Sequence, residues 1–112
     1  MLDFIFDAIG TLFDAIGDLI AWVIDGILSF LDYVVDYFKG LKLRQGRDVP
    51  FIADENKIAD LIHKAPVKNV GIFEGTYNED TNEIENYRAI EADEMDPQLK
   101  SVLGNEKLVV LS

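Results

Sequence analysis

Residues 2–38, LDFIFDAIGTLFDAIGDLIAWVIDGILSFLDYVVDYF, determine the fold that is predicted for this 112-residue chain. Aspartate recurs in it every eleven residues, at positions 3, 14, 25 and 36, and eleven residues make about three turns of an α-helix. The spacing predicts one long amphipathic helix over residues 2–38, with its carboxylates in a single polar stripe. The members of that predicted stripe are Asp3, Asp7, Asp14, Asp18, Asp25, Asp32 and Asp36.

Glycine also interrupts this segment. Gly10, Gly17 and Gly26 lie beside the predicted stripe. Each weakens a helix by about 1 kcal/mol relative to alanine. We expect them to let a neighbouring backbone approach closely, rather than to break the helix. Gly40 is expected to end it.

The rest of the predicted helix is apolar over more than half of its circumference. A helix that packs on the core of a soluble protein needs a narrower apolar stripe. We therefore expect the remaining apolar surface to be buried in a bilayer or against copies of the chain. A lone membrane-spanning helix is disfavoured, because Asp18, Asp25 and Asp32 would lie at membrane depth. The predicted contact residues are Leu2, Ile5, Ile9, Leu12, Ile16, Ile20, Trp22, Ile24, Ile27, Leu31, Val34 and Phe38, with Trp22 as the interfacial anchor.

The net charge of −11 is unevenly distributed along the chain. Residues 1–38 carry −7, residues 39–47 carry +4 and residues 48–112 carry −8. An acidic surface repels phosphates, so no nucleic acid is expected as a partner. The basic residues of the linker, predicted over 39–50, are Lys39, Lys42, Arg44 and Arg47. They could contact anionic lipid headgroups, form salt bridges to the aspartate stripe of the next copy, or only cap the helix.

Residues 51–112 are predicted to form a small acidic α-β-β-α-β domain, which makes the whole chain α+β. The predicted elements are a helix capped by Asp54, a hairpin of strands over 67–77 and 84–92, a helix opened by Asp96-Pro97 and stopped by Gly104, and a strand over 108–111. We expect the thin core of this domain to rely on the long helix or on a protein partner that the sequence does not identify.

No pattern in the sequence predicts catalysis, a cofactor or a metal centre. The chain has no cysteine, and its one histidine, His63, is accompanied by no nucleophile constellation. Carboxylates four residues apart, such as Asp3 and Asp7, could clasp a hard cation, but a solvated stripe explains them better. We expect a protein that is not an enzyme.

Residues Ile16–Phe30, IGDLIAWVIDGILSF, resemble the staphylococcal delta-lysin peptides. They share an Ile-Gly-Asp-Leu start, a tryptophan and an Ile-Asp pair in the same register. The resemblance implies a membrane-active, self-associating helix with Trp22 at the interface. Two features depart from that family: this segment has no lysine on its polar face, and the predicted helix is longer.

These observations favour a non-enzymatic structural protein that self-assembles into homo-oligomers, associates with membranes, or does both. We expect it to be membrane-associated or part of a large assembly. Two alternatives stay open from sequence. One is a soluble homo-oligomeric protein-binding module, and the other is a pore-forming or membrane-permeabilising protein in which an aspartate ring selects cations.

Overall fold

The computed structural model describes residues 2–63 and 69–111. Its elements are α1 (Leu2–Ile16), β1 (Trp22–Val23), β2 (Ile27–Leu28), a π-helical turn (Leu31–Val35) that continues into α2 (Asp36–Gly40), β3 (Asp48–Asp54), β4 (Val70–Asn78), β5 (Glu83–Ala92), β6 (Glu94–Met95), α3 (Pro97–Leu103) and β7 (Leu108–Val110). Helices and strands occur together, so the predicted α+β class is confirmed.

The predicted helix over residues 2–38 is wrong, because α1 ends at Ile16. Gly17 adopts a φ of 80° and donates its N–H to the Phe13 carbonyl at 2.9 Å, a common way for a helix to stop. Gly26 has a φ of 92° and turns the chain between β1 and β2. These two glycines therefore break the helix. Gly10 does lie close to a neighbour, since a Cβ there would be 3.3 Å from a Leu61 methyl carbon.

Five strands form the main sheet, in the order β1-β5-β4-β3-β7. Its neighbouring strands run antiparallel, except that β1 pairs with β5 in parallel. β2 and β6 form a separate parallel pair. The predicted hairpin is confirmed as β4 and β5, although residues 67 and 68 of its first strand lie outside the described residues. The sheet is larger than predicted, because β1 and β3 were not expected from the sequence.

Each face of the main sheet carries its own core. Side chains alternate along a strand, so Phe51 and Phe73 lie on one face while Ile52 and Ile72 lie on the other. The first face packs against Ile5, Ala8, Ile9 and Phe13 of α1, which recur at helical spacing. The second packs against residues from the 24–38 segment and from α3. The sheet is therefore the middle of three layers.

The C-terminal elements follow their sequence signals. Asp96 accepts a hydrogen bond from the Leu99 N–H at 2.7 Å, Pro97 occupies the first turn of α3, and Gly104 ends the helix. The final strand is also present, as β7. The predicted helix after Asp54 is wrong within the described residues, since 55–63 form a series of turns that Asp54 begins by accepting the Asn56 N–H.

Candidate assembly surfaces

Apolar side chains are exposed along the β1 edge of the sheet and in the segment that follows it. We call Ile20, Trp22, Val23, Ile27 and Leu31 the edge patch, and their exposed fractions are 88%, 60%, 76%, 55% and 54%. Single exposed apolar residues are ordinary on protein surfaces, but five of them within twelve residues form a local concentration. Trp22 and Val23 follow each other on β1, so their side chains point to opposite faces of the sheet, and the edge patch lies around the strand edge rather than on one face.

The backbone at this edge is also open to pairing. β1 is hydrogen-bonded to β5 on one side, with Trp22 opposite Ile90 and the Ile24 N–H donating to the Glu91 carbonyl at 2.8 Å. On its other side, β1 has no neighbouring strand among the described residues. An edge strand with exposed apolar side chains is a template for association.

Negative charge borders the edge patch. Asp18, Asp25 and Asp32 are exposed and alternate with the patch residues along the chain. Residues 1–38 contain no lysine or arginine, so no cation from this segment offsets them. Exposed apolar residues and exposed carboxylates are therefore interleaved along this segment of the chain.

A groove of about 800 Å³ lies on the second face of the sheet, beside β3 and the end of β7. Its lining is mainly apolar, and its volume falls in the range of ligand-binding clefts. The groove is lined by Phe30, Val34, Val35, Phe38, Lys39, Leu43, Arg44, Gln45, Gly46, Asp48, Val49, Pro50, Val102 and Leu111.

The basic linker shapes one wall of the groove. The Asp48 carboxylate accepts the Arg44 backbone N–H at 2.8 Å and the Arg47 Nε–H at 2.9 Å, which fixes the turn between them. These contacts lower the pKa of Asp48, and the hydrogen bond from the Arg47 side chain is the largest cause. Arg47 is thus engaged within the chain. The side-chain cations of Lys39 and Arg44 form no salt bridge with a described residue, and the Arg44 charge contributes to lowering the pKa of Asp48, so the groove lining carries more positive than negative charge.

The β1 residues of the edge patch and the β3–β7 side of the groove lie toward opposite ends of the sheet, whereas Leu31 of the patch directly follows the groove residue Phe30. β1 is the outermost strand at one end, whereas β3 and β7 are the last two strands at the other. Val49 and Pro50 of β3 and Leu111 after β7 line the groove. One copy of the chain can therefore present the β1 part of the edge patch and the groove at once.

Arg88 links these two surfaces through a buried ion pair. Its Nε donates to Glu74 Oε2, its Nη2 donates to the Tyr33 carbonyl at 2.7 Å, and its guanidinium lies 5.4 Å from the Trp22 ring. Glu74 is fully buried. Burial raises the pKa of Glu74 to about 7, against the opposing influence of Arg88. The pair holds the helical segment that walls the groove against the strand that carries Trp22.

The ion pair between Glu74 and Arg88 was not predicted from the sequence. One signal was available: Glu74 interrupts the apolar strand Val70–Asn78, and a carboxylate in such a strand needs a partner. The hairpin register places Arg88 opposite it.

The predicted contact residues are divided between the interior and the surface. Ile5, Ile9 and Val34 are buried in the two cores, which corrects their assignment to a surface contact. They are buried because α1 and the 31–40 segment pack on the sheet rather than forming one external helix. Leu12, Ile24 and Phe38 are partly buried. Those that stay exposed are Leu2, Ile16, Ile20, Trp22, Ile27 and Leu31.

All seven predicted stripe aspartates are exposed, but they do not form one line. Asp3, Asp7 and Asp14 lie on α1, and the other four follow the break at Gly17. Asp14 lies 3.2 Å from the His63 ring, and both side chains are largely exposed, which makes the pair a weak one. Within residues 2–63 and 69–111, no group of three or more acidic or histidine side chains could hold a metal ion.

No helix in the described part of the chain has the length and apolar content to cross a bilayer. Comparison with known proteins gives no further guidance: no family model, curated protein or solved structure matches the chain.

Proposed function

We propose that this chain is a non-enzymatic structural protein that assembles with copies of itself through the edge patch. The observation that carries the proposal is the exposure of five apolar side chains, each more than half exposed, on and beside an edge strand. Burying them against another copy removes apolar surface from water, which is the main driving force of protein association.

The size of the patch matters for this proposal. Full burial of one aliphatic side chain such as Ile20 contributes about 1.5–3 kcal/mol. Association of two proteins loses about 4–15 kcal/mol in translational and rotational freedom. One exposed residue would not overcome that loss, whereas several buried together contribute a total of the same order as the loss.

A bilayer surface is the second candidate partner of the edge patch. Trp22 is 60% exposed beside Ile20 and Val23, and tryptophan prefers the boundary between lipid and water. The pore-forming alternative has less support, because it relied on a helix over residues 2–38 whereas α1 ends at Ile16.

The test is sedimentation velocity of the purified chain over a concentration series. Wild type is expected to form species larger than a monomer as concentration rises. A double variant, Ile20→Asp with Val23→Asp, is expected to stay monomeric, because carboxylates replace the two most exposed patch residues. Phe4→Asp is the matched control: Phe4 is 64% exposed but lies on α1, outside the patch.

Flotation with phosphatidylcholine vesicles separates the two candidates. Self-assembly without flotation supports the structural proposal, and flotation of wild type as a monomer would replace it with the membrane candidate. Wild type that neither floats nor exceeds a monomer at any concentration contradicts both.

A further inference from the structure

We propose that copies of the chain join head to tail, with the edge patch of one copy seated in the groove of the next. Lys39 and Arg44 at the groove would then face Asp18 and Asp25 beside the incoming patch. This inference rests on the proposed self-association and identifies the surface that the edge patch contacts.

Charge favours the groove over a second edge patch as the partner. Two edge patches brought together would place Asp18 and Asp25 of one copy near the same carboxylates of the other, and like charges oppose such contacts. The groove instead offers Lys39 and Arg44, neither of which has an ion-pair partner among the described residues. Opposite charges on the two surfaces would fix their orientation.

Shape favours the same pairing. On one face of the β1 edge the patch presents Trp22, which is 60% exposed, and the groove is a concave apolar space of about 800 Å³. Bulky aromatic side chains that fill apolar pockets typically dominate the energy of an interface. Trp22 in the groove, among Val35, Phe38 and Val102, would make that kind of contact.

The positions of the two surfaces determine what such contacts build. Because β1 lies at the other end of the sheet from β3 and β7, a copy that receives a neighbour in its groove still has the β1 residues of its own edge patch free. Contacts between two different surfaces produce a ring when the rotation from each copy to the next returns to the first copy. They produce an open filament when it does not. A patch-to-patch contact would instead stop at a dimer.

Two half-blocked variants test this arrangement. The edge-blocked variant carries Ile20→Asp and Val23→Asp, and the groove-blocked variant carries Lys39→Glu and Arg44→Glu, all at exposed positions. Each is expected to be monomeric alone. Mixed in equal amounts they are expected to form a dimer that grows no further, because one intact patch meets one intact groove.

A matched control reverses two cations outside the groove lining, with Lys42→Glu and Lys107→Glu. It is expected to assemble like wild type, whereas the groove-blocked variant binds roughly tenfold more weakly or worse. Far-ultraviolet circular dichroism and thermal melting establish that each variant is folded before its size is measured. A chain that carries Asp18→Lys and Asp25→Lys together with Lys39→Glu and Arg44→Glu is expected to assemble again, because the charges of the two surfaces are then exchanged and remain opposite.

The outcomes separate this inference from the proposed function. If wild type is always monomeric, the proposed self-association fails. If wild type assembles and the groove-blocked variant assembles equally well, self-association stands and the head-to-tail arrangement is overturned. If the groove-blocked variant keeps wild-type size but loses binding of dodecanoate, the groove takes an amphipathic anion, and the head-to-tail arrangement is again overturned.

Discussion

The guanidinium of Arg88 lies 3.9 Å from the centre of the Tyr37 ring, over its face. Through this contact, β5 holds the short helix α2 against the sheet. The same guanidinium donates to the buried Glu74 carboxylate. A single side chain thus provides a cation–π contact and the charge that compensates Glu74.

Replacement of Arg88 by methionine should strongly destabilise the fold. The substitution leaves the Glu74 carboxylate buried without its compensating charge, and such a loss costs about 3–5 kcal/mol. Urea unfolding measures the change. Asp14→Asn is the comparison, since the Asp14 and His63 side chains are 75% and 61% exposed and solvent screens their pair, so its loss should change stability little. Equal losses in the two variants would contradict the role assigned to Arg88.

Stability should depend on the protonation of Glu74. Burial raises its pKa from 4.5 to about 7, so between these values the folded chain binds more protons than the unfolded chain. The free energy of unfolding should therefore fall as pH rises from about 4.5 to about 7, by up to about 3 kcal/mol. Below this window the contribution of the protonated carboxyl is fully present.

Glu74→Gln isolates this dependence, because glutamine does not titrate. Asp48 has a lowered pKa, so its effect on the pH dependence of stability is opposite to that of Glu74. Its contribution to stability is lost as pH falls through the lowered pKa. It is present in both proteins and cancels in the difference. Chemical denaturation at several pH values gives the two curves. Parallel curves across the window would show that Glu74 is not the titrating group.

Ile9→Ala should destabilise the chain by about 2–5 kcal/mol, because Ile9 is fully buried between α1 and the sheet. Ile20→Ala, at an 88% exposed position, should change stability by no more than about 0.5 kcal/mol. Both are measured by thermal or urea unfolding at low protein concentration, where assembly does not contribute. A small effect at Ile9 would contradict its burial between α1 and the sheet.

Gly75→Ala should destabilise the sheet by about 1–3 kcal/mol. A Cβ at Gly75 would lie 3.1 Å from the Glu85 carbonyl oxygen and 3.2 Å from the Tyr87 Cα, and backbone atoms within a sheet cannot easily move away. The register of β4 and β5 shifts between Glu74 and Thr76, so Gly75 occupies this irregularity. Gly40→Ala is the control, since nothing lies within 4 Å of its Cβ position and stability should be unchanged or slightly higher.

Self-association should weaken as salt concentration rises. Exposed charges such as Lys39 and Asp25 attract each other less when mobile ions screen them. Sedimentation at low and high sodium chloride measures the effect. A head-to-tail contact predicts weaker association at high salt, whereas a contact between two acidic edge patches predicts stronger association. The control with Lys42→Glu and Lys107→Glu should keep the dependence, because both substitutions lie outside the groove lining.

Local signals predicted part of this fold well. Asp96, Pro97 and Gly104 mark α3 because their roles are set by the backbone within a few residues. The alternating hairpin strands were also predictable. The apolar spacing of α1 revealed its helix, and four of its side chains are buried on the sheet.

The end of α1 could not be predicted in the same way. The eleven-residue spacing of aspartate continues through Gly17, and aspartate stays exposed on a helix, in a loop or at a sheet edge. The pattern therefore does not distinguish these structures. The pairing of Trp22 with Ile90 joins residues far apart in sequence, and no local signal encodes it. The edge patch and the groove depend on that pairing and on the packing of segment 31–40, so neither was predictable as a surface.

The parallel pairing of β1 with β5 also has a consequence for synthesis on the ribosome. The N-terminal third of the chain is made first, yet the strand that receives Trp22 and Val23 is completed only at Ala92. Until then, the apolar residues of this segment lack the sheet on which they pack. The nascent chain is therefore most vulnerable to aggregation before β5 has emerged, and conditions that slow translation should lengthen that interval.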